Sequence, residues 1–366
     1  MRGISSLPPS QRNESPHLAP RLLRSWRTVF ARASLTLLLA FALPGFSATD
    51  AADRTTLMLV VGAPGEAEFG SNFVHQAALW TQACLQAGCR QLTIGLEPEG
   101  GTNDFDRLKL ALAAEPKEGP DPFWLVLVGH GTFDGKEARF NLRGPDVAAT
   151  ELALWLQPFR RPLAVLDTAS ASAPFLNKLS ATNRVVLTAT RSGYEQNFAR
   201  FGQFFAEAIT SPAADLDKDG EVSLLEAFLM ASRQTAEFYK VHGRIATEHA
   251  MLDDNGDGLG TPADWFRGLR AVKRPRENAP LDGLFARQFH LVHSDAERAL
   301  TAQQRARRDE LELGVFQLRE KKGELPETEY YRRLEQLLVP LARVYFPGSN
   351  GAPPAPLIPP PAVPQK

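Results

Sequence analysis

The sequence predicts an α/β fold: a mostly parallel sheet with helices on both faces, followed by a C-terminal antiparallel helical hairpin. Three observations predict it. Short apolar runs alternate with stretches of helical period from residue 56 to residue 209. Runs such as 123–128 are apolar at every position, the pattern of strands buried on both faces. After Arg276 the chain becomes charged and helical, with a short linker between two long amphipathic segments.

The elements follow in order. A strand over 56–61 closes at Gly62-Ala63-Pro64-Gly65, and a helix over 72–87 stops at Gly88. A strand over 91–96 and a loop over 98–103 lead to a helix over 104–114, which Asp104 is placed to cap. Next come the strand 123–128, a helix around 147–156, the strand 163–167, a helix near 174–179, the strand 184–190 and a helix over 200–209. Ser294-Asp295-Ala296-Glu297 has the spacing of a capping box and opens a charged helix running to about Lys322. Pro326 starts a second helix running to about Val344. The linker Gly323-Glu324-Leu325 is short, so the pair should lie antiparallel. The expected organisation is a leader over 1–48, an α/β domain over 55–275, a helical hairpin over 279–346 and a Pro-rich disordered tail over 347–366.

The 366 residues carry a net charge of −1, so no global basic field argues for nucleic acid. Local charge says more. Arg2, Arg12, Arg21, Arg24, Arg27 and Arg32 precede the apolar stretch 33–43, and small residues Gly45, Ser47 and Ala48 follow. That order is a secretory signal peptide, whose apolar core is well short of the ~20 residues that span a bilayer. The expectation is export to a periplasmic or extracellular space, with no transmembrane segment once the leader is removed. The two cysteines, Cys84 and Cys89, flank Gly88. They read either as one buried thiol and one loop thiol, or as a local bridge in an oxidising compartment. Neither is placed as a nucleophile, since both lie far upstream of the strand ends described next.

Two apolar runs end in polar residues. Residues 123–128 are followed by Gly129-His130-Gly131, and 163–166 by Asp167-Thr168-Ala169. Sites in parallel sheets gather at the carboxyl ends of strands. This layout resembles the legumain and caspase group of cysteine peptidases. Their motif is an apolar strand ending in His-Gly, then one ending in an acidic residue, a small residue and the nucleophilic cysteine. The resemblance implies a caspase-like sheet over about 55–210, with His130 as general base and the Gly131 N–H helping to bind an oxyanion. Asp167 and Thr168 match the acidic and small positions loosely. The nucleophile position holds Ala169, which has no reactive atom. The resemblance therefore implies a pseudopeptidase that binds a peptide or protein partner in the old cleft. Ser170, or Ser172, is the substitute nucleophile an active hydrolase would need beside His130, with Asp134 or Asp146 as an orienting third group. Arg191, after the strand 184–190, is placed to bind a carboxylate group in the same cleft.

The most specific local pattern is the twelve-residue window 215–226. It offers oxygen ligands at the first, third, fifth, seventh, ninth and twelfth positions: Asp215, Asp217, Asp219, the Glu221 carbonyl, Ser223 and Glu226. Gly220 fills the sixth position, where the chain must turn sharply. The window resembles an EF-hand calcium loop, and Glu226 opens onto an apolar-periodic helix. A second window, 253–264, offers Asp253, Asn255, Asp257, Thr261 and Asp264, with Gly258 at the turn. Its last residue is Asp instead of Glu, one methylene short for bidentate closure. Its eighth position is Gly260, which has no side chain to pack against Val222 of the first loop. Calcium is the expected ion. The overall expectation is an exported calcium-binding protein with an inactive caspase/legumain-like domain. An active serine hydrolase and a structural or adhesion scaffold are the alternatives.

Overall fold

The computed structural model describes residues 54–98 and 102–346. The leader expected over 1–48 and the tail expected over 347–366 lie outside the described residues. β1 (Thr56–Val61), α1 (Ala67–Ala87), β2 (Arg90–Ile94), α2 (Asp104–Ala114) and β3 (Phe123–Val128) come first. β4 (Gly131–Phe133), β5 (Ala138–Phe140) and β6 (Val147–Ala148) form a small antiparallel sheet. α3 (Ala149–Leu156), β7 (Leu163–Asp167), α4 (Ala173–Leu179), β8 (Arg184–Thr188), α5 (Phe201–Ala208) and α6 (Leu224–Val241) complete the alternation. β9 (Met251–Asp253) and β10 (Thr261–Pro262) follow, then the small ladder of β11 (Phe266–Arg267) and β12 (Arg270–Ala271).

The main sheet has seven strands in the order β10-β9-β8-β7-β3-β1-β2. β2, β1, β3, β7 and β8 are parallel; β9 and β10 add antiparallel at one edge. The fold class is thus the one the apolar runs predict, and the edge extension by β9 and β10 is new. Side chains alternate between faces with period two. Trp124, Val126 and Val128 meet α1, α5 and α6 through Trp80, Phe205 and Phe228. Phe123, Leu125 and Leu127 meet α2, α3 and α4 through Leu108, Leu152 and Phe175. Every residue of β3 is fully buried. Each such aromatic or aliphatic side chain is worth about 1.5–3 kcal/mol over an exposed one, so the sheet carries the stability of the domain.

Two local expectations change, and one left open is resolved. Asn103, one residue before Asp104, caps α2: its Oδ1 accepts the Asp106 N–H at 2.9 Å. Asp104 is held instead by Arg143, whose Nε donates at 2.6 Å. The charged helix expected from 294 to 322 is two helices, α7 (Asp295–Arg298) and α8 (Ala302–Glu320). Thr301 breaks it with a capping box of its own, its Oγ accepting the Gln304 N–H at 3.2 Å while Gln304 Oε1 accepts the Thr301 N–H at 2.8 Å. α9 (Glu327–Tyr345) returns along α8, giving the expected hairpin. Cys84 and Cys89 are joined in a disulfide across the left-handed turn at Gly88 (φ 65°), with Cα atoms 5.2 Å apart. Of the two readings the sequence left open, the structure has the bridge. Among the described residues no helix is long and apolar enough to cross a membrane.

Candidate functional site

The carboxyl ends of β3 and β7 meet. The Gly131 N–H donates to Ser170 Oγ at 3.1 Å, and the same hydroxyl donates to the Gly131 carbonyl at 3.1 Å. A Cβ on Gly131 would lie 2.2 Å from the Ser170 carbonyl oxygen, so only glycine fits. Between Gly129 and Gly131, His130 is half-buried. Its ring sits 4.9 Å from Phe69, 5.1 Å from Phe73 and 6.1 Å from Phe198, centroid to centroid. Its Nε2 is 3.2 Å from the Pro64 carbonyl oxygen. A carbonyl only accepts, so that nitrogen carries the proton and Nδ1 keeps the lone pair. Burial lowers the pKa of His130, and the Pro64 bond offsets this in part. The imidazole is thus neutral, oriented by a backbone carbonyl, and ready to accept a proton at Nδ1.

The groups opposite are buried or already hydrogen-bonded. Ala169 is 1% exposed and belongs to the core on the α2, α3 and α4 side of the sheet, whereas the rings around His130 belong to the other side. Asp167 is fully buried; its Oδ1 accepts the Ala169 N–H at 3.1 Å and its Oδ2 has no partner. Burial pushes its pKa up to about 7, against the smaller opposing effect of the Ala169 N–H. The two candidate serines are bound elsewhere. Ser170 is committed to both backbone groups of Gly131, and the Ser172 hydroxyl lies 3.1 Å from Thr190 Oγ1 and accepts the Thr190 N–H at 3.2 Å. The Gly131 N–H, expected to face an oxyanion, is likewise spent on Ser170. Arg191 does not face an open carboxylate site either. Glu195 of its own loop accepts its backbone N–H at 2.9 Å and sits 3.4 Å from its Nε. Asp134 closes the β4–β5 turn by accepting the Lys136 and Glu137 N–H groups, and Asp146 accepts the Leu142 N–H. Neither orients His130.

The first acidic loop is better formed. Asp215, Asp217 and Asp219 each bring one carboxylate oxygen to within 4.8 Å of the others. Asp215 folds the loop by accepting the Lys218 N–H at 2.6 Å and the Gly220 N–H at 3.2 Å. Lys218 and Gly220 take positive φ of 63° and 90° to allow it. Ser223 caps α6, and Glu226 is 1% exposed directly behind the loop. Its Oε1 accepts the Leu216 N–H at 2.7 Å and its Oε2 accepts the Ser223 hydroxyl at 2.8 Å. Burial and then the charges of Asp217, Glu226 and Glu221 push the pKa of Asp219 up to about 6. The donor set is all hard oxygen, which fits calcium.

Around this loop the structure adds residues that sequence reasoning missed. The Glu221 side chain turns away from the loop and accepts the Ser294 N–H at 2.6 Å, with His293 Nδ1 3.5 Å and His290 Nδ1 3.8 Å from its other oxygen. Those partners outweigh its burial and hold its pKa down near 2. Arg287 Nη2 reaches Asp217 at 2.8 Å. The spacing of His290 and His293 was the available signal, but nothing local tied it to a loop seventy residues upstream. Val222 and its neighbours do not pair with the second loop. Ser223 bridges to His290, and the Leu224 N–H donates to the Phe289 carbonyl at 2.7 Å.

The second loop leaves β9 at Asp253, which is 1% exposed and accepts the Gly256 and Gly258 N–H groups, each at 3.0 Å. Asn255 and Asp257 point back to the N–H groups of Asp257 and Leu259, each at 2.8 Å. Thr261 donates its hydroxyl to Asp282 at 2.5 Å. Asp264 is exposed in the short turn 263–265, and among the described residues it has no hydrogen-bond or ion-pair partner. The expected closing residue therefore makes no bond to the loop.

No protein-family model matches the chain, and no curated protein matches it. Among solved structures the chain is similar to the Drosophila initiator caspase Dronc, at 14% identity over 57% of this chain and 83% of that one, with a TM-score of 0.39. It is similar to caspase-1 from Spodoptera frugiperda, at 8% identity over 56% and 87%, with a TM-score of 0.37. A third similarity, to Raptor from Chaetomium thermophilum, has 12% identity over 45% of this chain and 18% of that one, with a TM-score of 0.31.

Proposed function

We propose that the chain is an exported calcium-binding protein whose caspase/legumain-like domain runs no cysteine-peptidase reaction and serves to hold a peptide or protein partner. The observation that carries the calcium part is the convergence of Asp215, Asp217 and Asp219 in front of the buried Glu226. Three acidic side chains gathered so closely repel one another, and a divalent ion relieves that repulsion. Inactivity is supported by the buried Ala169 at the position where the resemblance puts a thiol, and by the disulfide that ties up Cys84 and Cys89. The disulfide also suits an oxidising compartment. Partner binding is supported by the loop after β8, which runs beside His130 and leaves Tyr194 74% exposed. The serine-hydrolase alternative loses ground, because both hydroxyls are engaged with groups other than His130.

Equilibrium dialysis of the purified protein against calcium in chelator-treated buffer tests the reading. At least one ion per chain is expected, and the same preparation should leave Asn- and Asp-directed peptide substrates uncut. No bound calcium, or thiol-dependent cleavage, would overturn it.

A further inference from the structure

The two acidic loops are built alike, position for position. In each, the first residue accepts the N–H groups of the fourth and sixth: Lys218 and Gly220 onto Asp215, Gly256 and Gly258 onto Asp253. In each, the fifth residue accepts the N–H of the seventh at 2.8 Å. The fourth and sixth residues take positive φ in both loops: 63° and 90° in the first, 80° and 74° in the second. In the first loop the twelfth residue, Glu226, spans the N–H of the second residue and the hydroxyl of the ninth. The same two groups of the second loop are spanned by a residue outside the window. Asp282 Oδ1 accepts the Asp254 N–H at 3.1 Å, and Oδ2 accepts the Thr261 hydroxyl at 2.5 Å.

Charge compensation points the same way independently. Asp253, Asp254 and Asp282 are 1%, 8% and 2% exposed, and among the described residues none forms an ion pair with a Lys, Arg or His. Asp254 is answered by the backbone N–H groups of Gly283, Phe285 and Ala286. Asp282 accepts one backbone N–H and one hydroxyl, and its carboxyl lies against that of Asp254. Asp257 Oδ2 is shielded from solvent and accepts nothing. Buried carboxylate oxygens left without a donor are costly unless a cation completes them.

We propose that the 253–264 loop is a second calcium site closed by Asp282, which takes the place that the twelfth residue, Asp264, does not fill. The inference rests on the calcium reading above and deepens it. The segment between Thr261 and Asp282 carries the β11–β12 ladder, which explains why a twelve-residue window ends on the wrong aspartate.

Calorimetric titration of calcium into the full, calcium-free chain tests it. The wild type should show two sites. Glu226→Gln should remove the first and leave the second. Asp282→Asn should weaken the second at least tenfold and leave the first. The new amide still accepts from the Asp254 N–H and donates to Thr261, so the fold has its bonds. Asp264→Asn, at an exposed position, should bind two ions like the wild type. Loss of the second site in Asp264→Asn overturns the inference even if Asp282→Asn does not fold, as does unchanged binding in Asp282→Asn. A single wild-type site abolished by Glu226→Gln overturns this inference while sparing the calcium reading. No binding at all overturns both.

Discussion

At the scale of single residues, the strand ends combine a histidine tethered to a backbone carbonyl with a buried carboxyl group. Asp167 is fully buried with one oxygen unpartnered, and its carboxyl is pushed from 3.8 to about 7 by burial. The folded state therefore favours its protonated form. Between about pH 4 and 7 the unfolded chain has already released this proton, so raising the pH through that window removes stability until the folded carboxyl also ionises. Asp167→Asn keeps the acceptor for the Ala169 N–H and removes the charge. Relative to the wild type, the variant should gain stability as pH rises from 4 to 8, by at most ~4 kcal/mol at about 1.4 kcal/mol per pKa unit. Chemical denaturation of both proteins at several pH values measures this. A difference that does not change with pH would show that Asp167 is ionised in the fold.

At the scale of elements, the chain shows what local sequence does and does not record. The wholly apolar runs at 123–128 and 163–166 fall on β3 and β7, because burial on both faces leaves the strand interior without a polar position to confuse the reading. The small sheet of β4, β5 and β6 was invisible: strands of two or three residues are too short for any period to show. The helix break at Thr301 is a conflict between two caps. Ser294 accepts the Glu297 N–H at 3.2 Å, but the Glu297 carboxylate pairs with Arg308 and does not return to the cap. Thr301 and Gln304 complete both halves of their box, and α8 starts there. Thr301→Ala should cost about 1 kcal/mol and raise amide exchange in the first turn of α8. Midpoints of urea denaturation and exchange rates check this, and an unchanged stability would mean that packing against α9 alone sets the helix start.

At the scale of the whole molecule, the sheet sets the strand ends side by side and the acidic loops at its flank. The first loop was legible because its donors are contiguous over 215–226. The second was legible only up to Thr261, since its neighbour Asp282 arrives from a distant segment and no spacing announces it. The commitment of Ser170 to Gly131 was illegible for the same reason, being a contact between two strands 39 residues apart. The central claim is that this frame is held by calcium and not used for peptide cleavage. Thermal unfolding with saturating calcium and with chelator tests it most directly, run on the wild type and on Glu226→Gln. At about 100 times the dissociation constant a bound ion adds ~2.7 kcal/mol. The account predicts a clear rise in melting temperature for the wild type and a smaller one in Glu226→Gln, where only the second loop still binds. Equal melting temperatures for the wild type with calcium and with chelator would contradict it.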